Sequence, residues 1–443
     1  MKAPRMLVPP PGPKARKVIE KDRRYLATST KTLPLAVQRA KGSVVEDVDG
    51  NRYIDFTCGI AVTNLGHVND EVREAVEAQL AEMWHMAGTD FYYQVQADLA
   101  EALARLTPGD FPKKVFFTNS GTETIEAAIK VTRWNRPGKQ FLAFLNAFHG
   151  RTMGSLALTS SKSVQRERFF PVMPGGNLVP YSYCYRCPYG LTYPDCELWC
   201  AQIIEQQYLQ KVVPPSELAG LVFEPVQGEG GYIVPPPGWT EEIARIARDN
   251  DILLIADEIQ TGLGRTGRMF AVEHVGVAPD AVALAKGLGS GFPIGALVFN
   301  AELDFGVSGA HSNTFGGNPV ACAAALATLR ILEEQNLPGR AARLGERVHK
   351  RLEEMKEEWP IMGDNRGLGL MRATEYVRDG ASKEPAVRTR DAILEEALRR
   401  GLILLPSGTS VIRYIPALTI EEELLDAGMD ILADSIRAVV KAS

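Results

Sequence analysis

At 443 residues the chain is long enough to bury a large core, and two domains are expected. Its formal net charge of −5 offers no basic face to nucleic acid, and no apolar stretch reaches the length of a membrane span. The opening stretch, Met1 to Pro13, lacks a secretory apolar region, so a cytoplasmic location is expected. Its prolines predict an extended arm, suited to wrapping a partner subunit.

From about residue 115 to 300, apolar β-prone runs alternate with helical patterns. The runs cover 115–119, 141–145, 218–223, 252–256, 281–285 and 294–299, and Glu241 to Arg248 is one of the intervening helices. The alternation predicts an α/β fold with a mostly parallel sheet flanked by helices. Beyond it, helical patterns fall near 320–356, 388–400 and 420–440. Short strand candidates lie at Leu402–Leu405 and Val411–Ile415. The expected division is an N-terminal arm and part of a small domain (1–65), a large domain (66–330) and a C-terminal small α+β domain (331–443).

The first run ends in Ser120-Gly121-Thr122, and Glu123 to Arg133 then has helical spacing. Such a turn aims free backbone N–H groups, two hydroxyls and the positive end of a helix dipole at one spot, which suits a phosphate dianion. Alone, the same residues read as an ordinary helix cap supplied by Thr122. Two further residues change the balance. Asp257 ends the run Ile252–Ala256, and Lys286 ends the run Ala281–Ala285. An acid and an amine, each at the carboxyl end of its own strand, beside a phosphate cradle, are what pyridoxal phosphate requires. The lysine forms the Schiff base, and the aspartate keeps a proton on the pyridine nitrogen so that the ring accepts electrons. Ligands of such sheets bind at these strand ends.

Other signals carry less. Gly262-Leu-Gly264-Arg-Thr-Gly267 fits a dinucleotide pattern but does not open directly from its strand. Asp257-Glu258 resembles the acidic strand end of a P-loop ATPase, yet the chain has no G-x-x-x-x-G-K-[ST] stretch. Four of the six cysteines cluster as Cys184-x2-Cys187-x8-Cys196-x3-Cys200. Two close pairs a short loop apart have zinc-like spacing, but local disulfides or buried thiols have it too. The middle gap is shorter than in common zinc ribbons, and no metal is expected.

From about residue 35 onward the chain resembles the class III, fold-type-I pyridoxal phosphate aminotransferases. The likeness rests on Gly59-Ile-Ala-Val62 before Gly66-His67, Asn119-Ser-Gly-Thr-Glu123, Phe148-His-Gly-Arg-Thr152, Glu224-Pro-Val-Gln-Gly-Glu-Gly-Gly231, Asp257-Glu-Ile-Gln-Thr-Gly262 and Thr314-Phe-Gly-Gly-Asn-Pro319. The resemblance implies that the mostly parallel sheet is of the seven-stranded type, and that Lys286 and Asp257 are catalytic. It implies that Phe148 and Ile259 flank the cofactor ring and that Gln260 bonds its phenolic oxygen. Ser120, Gly121 and Thr122 would surround the phosphate, and Thr314 would reach the phosphate of a neighbouring subunit. The active form would therefore be a homodimer, or a tetramer built from two dimers. Arg151 would take a substrate carboxylate and Arg413 the α-carboxylate of glutamate or 2-oxoglutarate. Glu229 would pair with Arg413 when another amino donor is bound. Ile60 stands where an aromatic residue accompanies ornithine as donor. The resemblance thus implies an amino acid and a 2-oxo acid as substrates, with 4-aminobutyrate the expected donor. Acetylornithine or ornithine transamination and amino-acid racemisation are the alternatives.

Overall fold

Every apolar run between 115 and 300 is a strand in the computed structural model, which describes residues 1–442. Seven strands form one sheet in the spatial order Lys113–Thr118, Gly295–Asn300, Ala281–Leu284, Leu253–Asp257, Leu218–Phe223, Gln140–Phe144 and Gly176–Val179. Gly295–Asn300 runs antiparallel to both neighbours, and every other adjacent pair is parallel. The edge strand Gly176–Val179 has no apolar run of its own and escapes the sequence pattern.

The central strands are apolar along their whole length because both faces are covered. Side chains alternate between faces. Val222, Leu253 and Ile255 pack with Ile125 and Ile129 of helix Gly121–Asn135 on one side. Leu221, Phe223 and Leu254 pack with Trp239, Ile243 and Ile246 of helix Trp239–Asp249 on the other. The sheet is thereby fixed in register, and its strand ends converge on one edge.

Two four-stranded sheets use the chain's two ends. One joins Val37–Lys41, Val44–Asp47 and Arg52–Asp55 to Leu402–Ile403, the last pairing parallel. The other is antiparallel, in the order Met362–Leu368, Met371–Tyr376, Val411–Tyr414, Leu405–Ser407. The single strand expected at Leu402–Leu405 is therefore two short ones in different sheets. The hairpin over 362–376 has no counterpart in the sequence reading. Gly363, Gly367 and Gly369 and interleaved charges obscure its alternation, yet a Cβ at Gly367 would stand 2.0 Å from the Met371 carbonyl oxygen, so the tight pairing demands glycine.

Two more expectations are corrected. The helical pattern 320–356 is two helices, Pro319–Glu334 and Leu337–Glu358. Asn336 breaks it in a left-handed conformation (φ 45°), and its side chain caps the second helix at the Gly339 amide. The arm expected at the N-terminus contains a helix, Pro13–Tyr25. Proline suits its first position, and the Asp49 carboxylate, remote in sequence, accepts from the amides of Lys14 and Ala15 at 2.8 Å each. Among the described residues no helix is long and apolar enough to cross a membrane.

Candidate active site

Four of the parallel strands deliver a functional group at or just past the carboxyl end. Asp257 closes Leu253–Asp257, Lys286 follows Ala281–Leu284, Glu224 follows Leu218–Phe223, and Phe148 to Arg151 follow Gln140–Phe144. Asp257 is buried and doubly held. Its Oδ2 lies 2.7 Å from His149 Nδ1, and its Oδ1 accepts from the Ile259 amide at 3.1 Å. Burial opposes charge on His149, but Asp257 and Glu224 outweigh it and raise the ring's proton affinity. The His149 Nε2 is buried with no hydrogen-bond partner among the described residues. Glu224 accepts from the amides of Phe148 (2.7 Å) and Gly228 (2.6 Å), and burial raises its carboxyl. Glu224 therefore ties the Phe148 loop to the loop that carries Glu229.

Lys286 is half-buried on the floor of the same pocket. Desolvation lowers its amine to about 8, with Asp257 opposing the shift and Arg413 adding to it. Its backbone adopts φ 39°, a left-handed conformation rare for a non-glycine residue. An amine poised near neutrality on a strained turn is suited to both nucleophilic attack and proton transfer.

The strand Lys113–Thr118 turns through Ser120 into helix Gly121–Asn135. The cap is Ser120, whose hydroxyl accepts from the Glu123 amide at 3.4 Å, and not Thr122. Thr122 is free to bond Thr152 (2.8 Å) and Ser155 (2.7 Å), and so ties the cradle to the Arg151 loop. Gly121 is needed for space: a Cβ there would meet Ile259 Cδ1 at 2.9 Å. Ile259 and Phe148 line the pocket, as do Gly121 and Thr122. Ser120 stays behind the turn outside the lining, and Thr314 lies exposed on the surface, away from this chain's pocket.

The upper wall is assembled from distant stretches. Arg413, on Val411–Tyr414, is buried and bonds Glu229 Oε2 through Nη1 at 3.2 Å. Its Nε is buried without a partner. Glu229 also accepts from Lys162 Nζ at 2.9 Å through Oε1. Burial raises the Glu229 carboxyl, but Arg413 and Lys162 together hold it below the usual range. Arg151 stands over the Phe148 ring at 5.7 Å. Gln260 Oε1 accepts from the Tyr232 hydroxyl at 2.8 Å. Ile60 lines the mouth within a left-handed turn in which Cys58, Gly59, Ile60 and Ala61 all have positive φ. Thr30, Thr32, Lys162, Gln165 and Pro406 also line the pocket and had no sequence signal, because none belongs to a motif, while Leu405 lines it from the end of an expected strand.

The four clustered cysteines lie elsewhere. All are free, and they surround a small apolar cavity with Leu198 and Trp199. None lines the active-site pocket. Burial pushes the Cys200 thiol up to about 12, with the three neighbouring cysteines adding to the shift. Among the described residues no group of three or more His, Cys, Asp or Glu is arranged to hold a metal ion. The segment anchors instead through Tyr183 and Arg186, which both bond Glu375 of the C-terminal hairpin. The glycine-rich stretch 262–267 opens no helix. Arg265 within it is fully buried and donates to the carbonyls of Pro416 (2.6 Å) and Leu370 (3.1 Å) and to Asn64 Oδ1 (2.7 Å).

Pyridoxal phosphate fits this donor set. A helix start faces the pocket through Gly121 and Thr122, a carboxylate is fixed by a buried histidine, and an amine of lowered proton affinity completes it. Residues 25–436 match the family described as aminotransferase class-III. The chain belongs to that family. It is a pyridoxal phosphate-dependent aminotransferase by that membership. It is 39% identical to the 5-aminovalerate aminotransferase DavT of Pseudomonas aeruginosa, over 90% of this chain and 93% of that protein. It is 41% identical to the 4-aminobutyrate aminotransferase of Mycobacterium leprae, over 91% of each. It is also 35% identical to an alanine/serine racemase of Pyrococcus horikoshii, over 99% of this chain and 93% of that protein. Among solved structures, a Bacillus anthracis aminotransferase superposes with a TM-score of 0.89 at 28% identity, covering 96% of this chain and 99% of that one.

Proposed function

We propose that the pocket transaminates an ω-amino acid, with 4-aminobutyrate the expected donor and 2-oxoglutarate the acceptor. The observation that carries this reading is the 3.2 Å contact between Arg413 and Glu229 in a pocket that also holds Arg151. Glutamate presents two carboxylates, and an ω-amino acid bound amine-first presents one. Arg151 serves the distal carboxylate of either. Arg413 serves the α-carboxylate of glutamate and is neutralised by Glu229 when that carboxylate is absent. Removing one partner of a buried ion pair costs roughly 3–5 kcal/mol, enough to enforce the exchange. The relatives named for 4-aminobutyrate and 5-aminovalerate support the same substrate class.

Bound pyridoxal phosphate supplies an aldehyde for amines and a ring that withdraws electrons. Lys286 would hold it through its amine, and Lys286 Nζ would take the proton from the amine-bearing carbon of the substrate. Asp257, fixed by His149, would keep the ring nitrogen protonated. Phe148 and Ile259 would flank the ring, Gln260 would face its phenolic oxygen, and Gly121 and Thr122, backed by Ser120 behind the turn, would form the phosphate cradle. The exposed Thr314 reaches the phosphate site of a neighbouring subunit, which makes the working unit a homodimer, alone or paired into a tetramer, in the cytoplasm. Residues 66–330 form the cofactor-binding domain, and 1–65 with 331–443 form the smaller one.

Racemisation is the second reading, favoured by the 35% identity to a racemase over nearly the whole chain. A product assay with a panel of amino donors and 2-oxoglutarate separates the two. Glutamate formed from 4-aminobutyrate or 5-aminovalerate is the expected result. Inversion of alanine or serine without any keto acid, with no glutamate formed from ω-amino acids, overturns the reading.

A further inference from the structure

The carboxylate of Glu229 has two oxygens and two cationic partners. Oε2 faces Arg413 at 3.2 Å, and Oε1 accepts from Lys162 Nζ at 2.9 Å. The three side chains come from separate elements. Lys162 precedes the short turn Ser163–Gln165, Glu229 lies in the loop beyond strand Leu218–Phe223, and Arg413 sits on Val411–Tyr414. Their exposure is graded, with the side chains of Lys162, Glu229 and Arg413 at 41%, 21% and 5%. The outer partner is thus the wetter one, and the inner partner is almost dry.

This grading matters for an exchange that must run in both directions. Under the proposed function, on which this inference rests, Arg413 must leave Glu229 whenever a second carboxylate arrives. A lone carboxylate in so enclosed a place would be costly to strand. It is not stranded if its other oxygen already has a cation. Arg413 meanwhile has an unpartnered buried Nε, a donor able to help bind the incoming carboxylate. The opening step therefore exchanges one ion pair for another and leaves no charge without a partner.

We propose that Lys162 is a positioning residue for the second substrate. It holds Glu229 when Arg413 turns to a substrate carboxylate, and so makes the Glu229–Arg413 pair openable. It touches neither cofactor nor reacting atoms in this role. Without it Glu229 has Arg413 as its sole ion-pair partner among the described residues. The pair then tightens against any ligand that brings two carboxylates, and ligands with one carboxylate are indifferent. A lysine that merely bound substrate carboxylates itself would serve both ligand classes alike.

Calorimetric titration of the holoenzyme with glutarate and with butyrate tests this. The two probes carry two carboxylates and one, and neither carries an amine, so no turnover intervenes. Lys162→Met should weaken glutarate by about tenfold, the lower end of what a hydrogen bond to a charged group contributes, and leave butyrate unchanged. Lys162→Arg should restore most of the glutarate affinity. In a Glu229→Gln background, where no carboxylate needs holding, Lys162→Met should leave the glutarate-to-butyrate ratio unmoved. Equal weakening of both probes, or of neither, overturns the role assigned to Lys162. Arg413→Ala separates this from failure of the proposed function. If that variant lowers glutarate selectively while Lys162→Met does not, the Lys162 role alone falls. If Arg413→Ala leaves the ratio unchanged, the two-carboxylate reading falls with it.

Discussion

The floor and the upper wall of the pocket are built differently. The floor is one sheet edge. Asp257 ends one strand, and Lys286 and the Ser120 turn follow two others, all hydrogen-bonded into the sheet, so their positions are set by the core. The wall draws on residues near 30, 60, 162, 229 and 413, which meet only through loop and sheet packing. A floor set by the core suits chemistry that must not vary. A wall made of separable pieces suits substrate choice, which must accept two different molecules in turn.

The largest test of this contrast strikes the floor. Lys286→Ala should lose about 10⁴-fold in turnover, the upper range for a positioned acid–base group. Asp257→Ala should lose on the order of 10²–10³-fold, as when one preorganised electrostatic partner is removed. Both losses should be the same for every amino donor. Steady-state rates with three donors, with cofactor content checked by absorbance, measure this. A donor-dependent loss in either variant would erase the distinction between floor and wall. Borohydride reduction followed by peptide mapping should place the cofactor on Lys286.

A smaller effect concerns pH. The Lys286 amine is lowered to about 8, so it is protonated below that pH and a free nucleophile above it. The rate at which apoenzyme takes up pyridoxal phosphate covalently should rise with pH, pass its midpoint near 8, and level off. A rise that continues toward 10.5 would mean the floor does not desolvate the amine.

The smallest effect belongs to the cysteine segment. Cys184, Cys187, Cys196 and Cys200 stand apart from the pocket around their own cavity. Replacing Cys184 and Cys187 by serine should change turnover less than twofold. Metal analysis of protein purified without chelator should find no zinc, and thiol titration of unfolded protein should count six thiols. Stoichiometric zinc, or a shift in donor preference in the serine variants, would join this segment to the wall after all.

The same contrast explains what the sequence made legible. Strand ends are marked by apolar runs that stop at Asp257, Lys286 or Ser120, so the sheet and the floor could be read directly. Arg413 and Glu229 were reachable only through resemblance, because neither lies in a pattern whose physics points to the other. Lys162, Thr30 and Thr32 left no trace. Their place in the pocket arises from three-dimensional meeting, and their local sequence is ordinary loop. The hairpin 362–376 was hidden because glycines replaced the alternation that marks a strand. The helix break at Asn336 was hidden because the apolar spacing continues across it.

The left-handed turn at Ile60 has a bearing on redesign. Four successive residues there hold positive φ, and Ile60, at φ 69°, carries a branched side chain in a conformation that disfavours branching. A saturation library at position 60 will therefore be filtered first by backbone tolerance and only then by the shape of the donor. Glycine and asparagine should enrich for stability whatever the amine supplied, so altered selectivity is better sought at Thr30, Thr32 or Pro406, where the chain is not already committed to a strained turn.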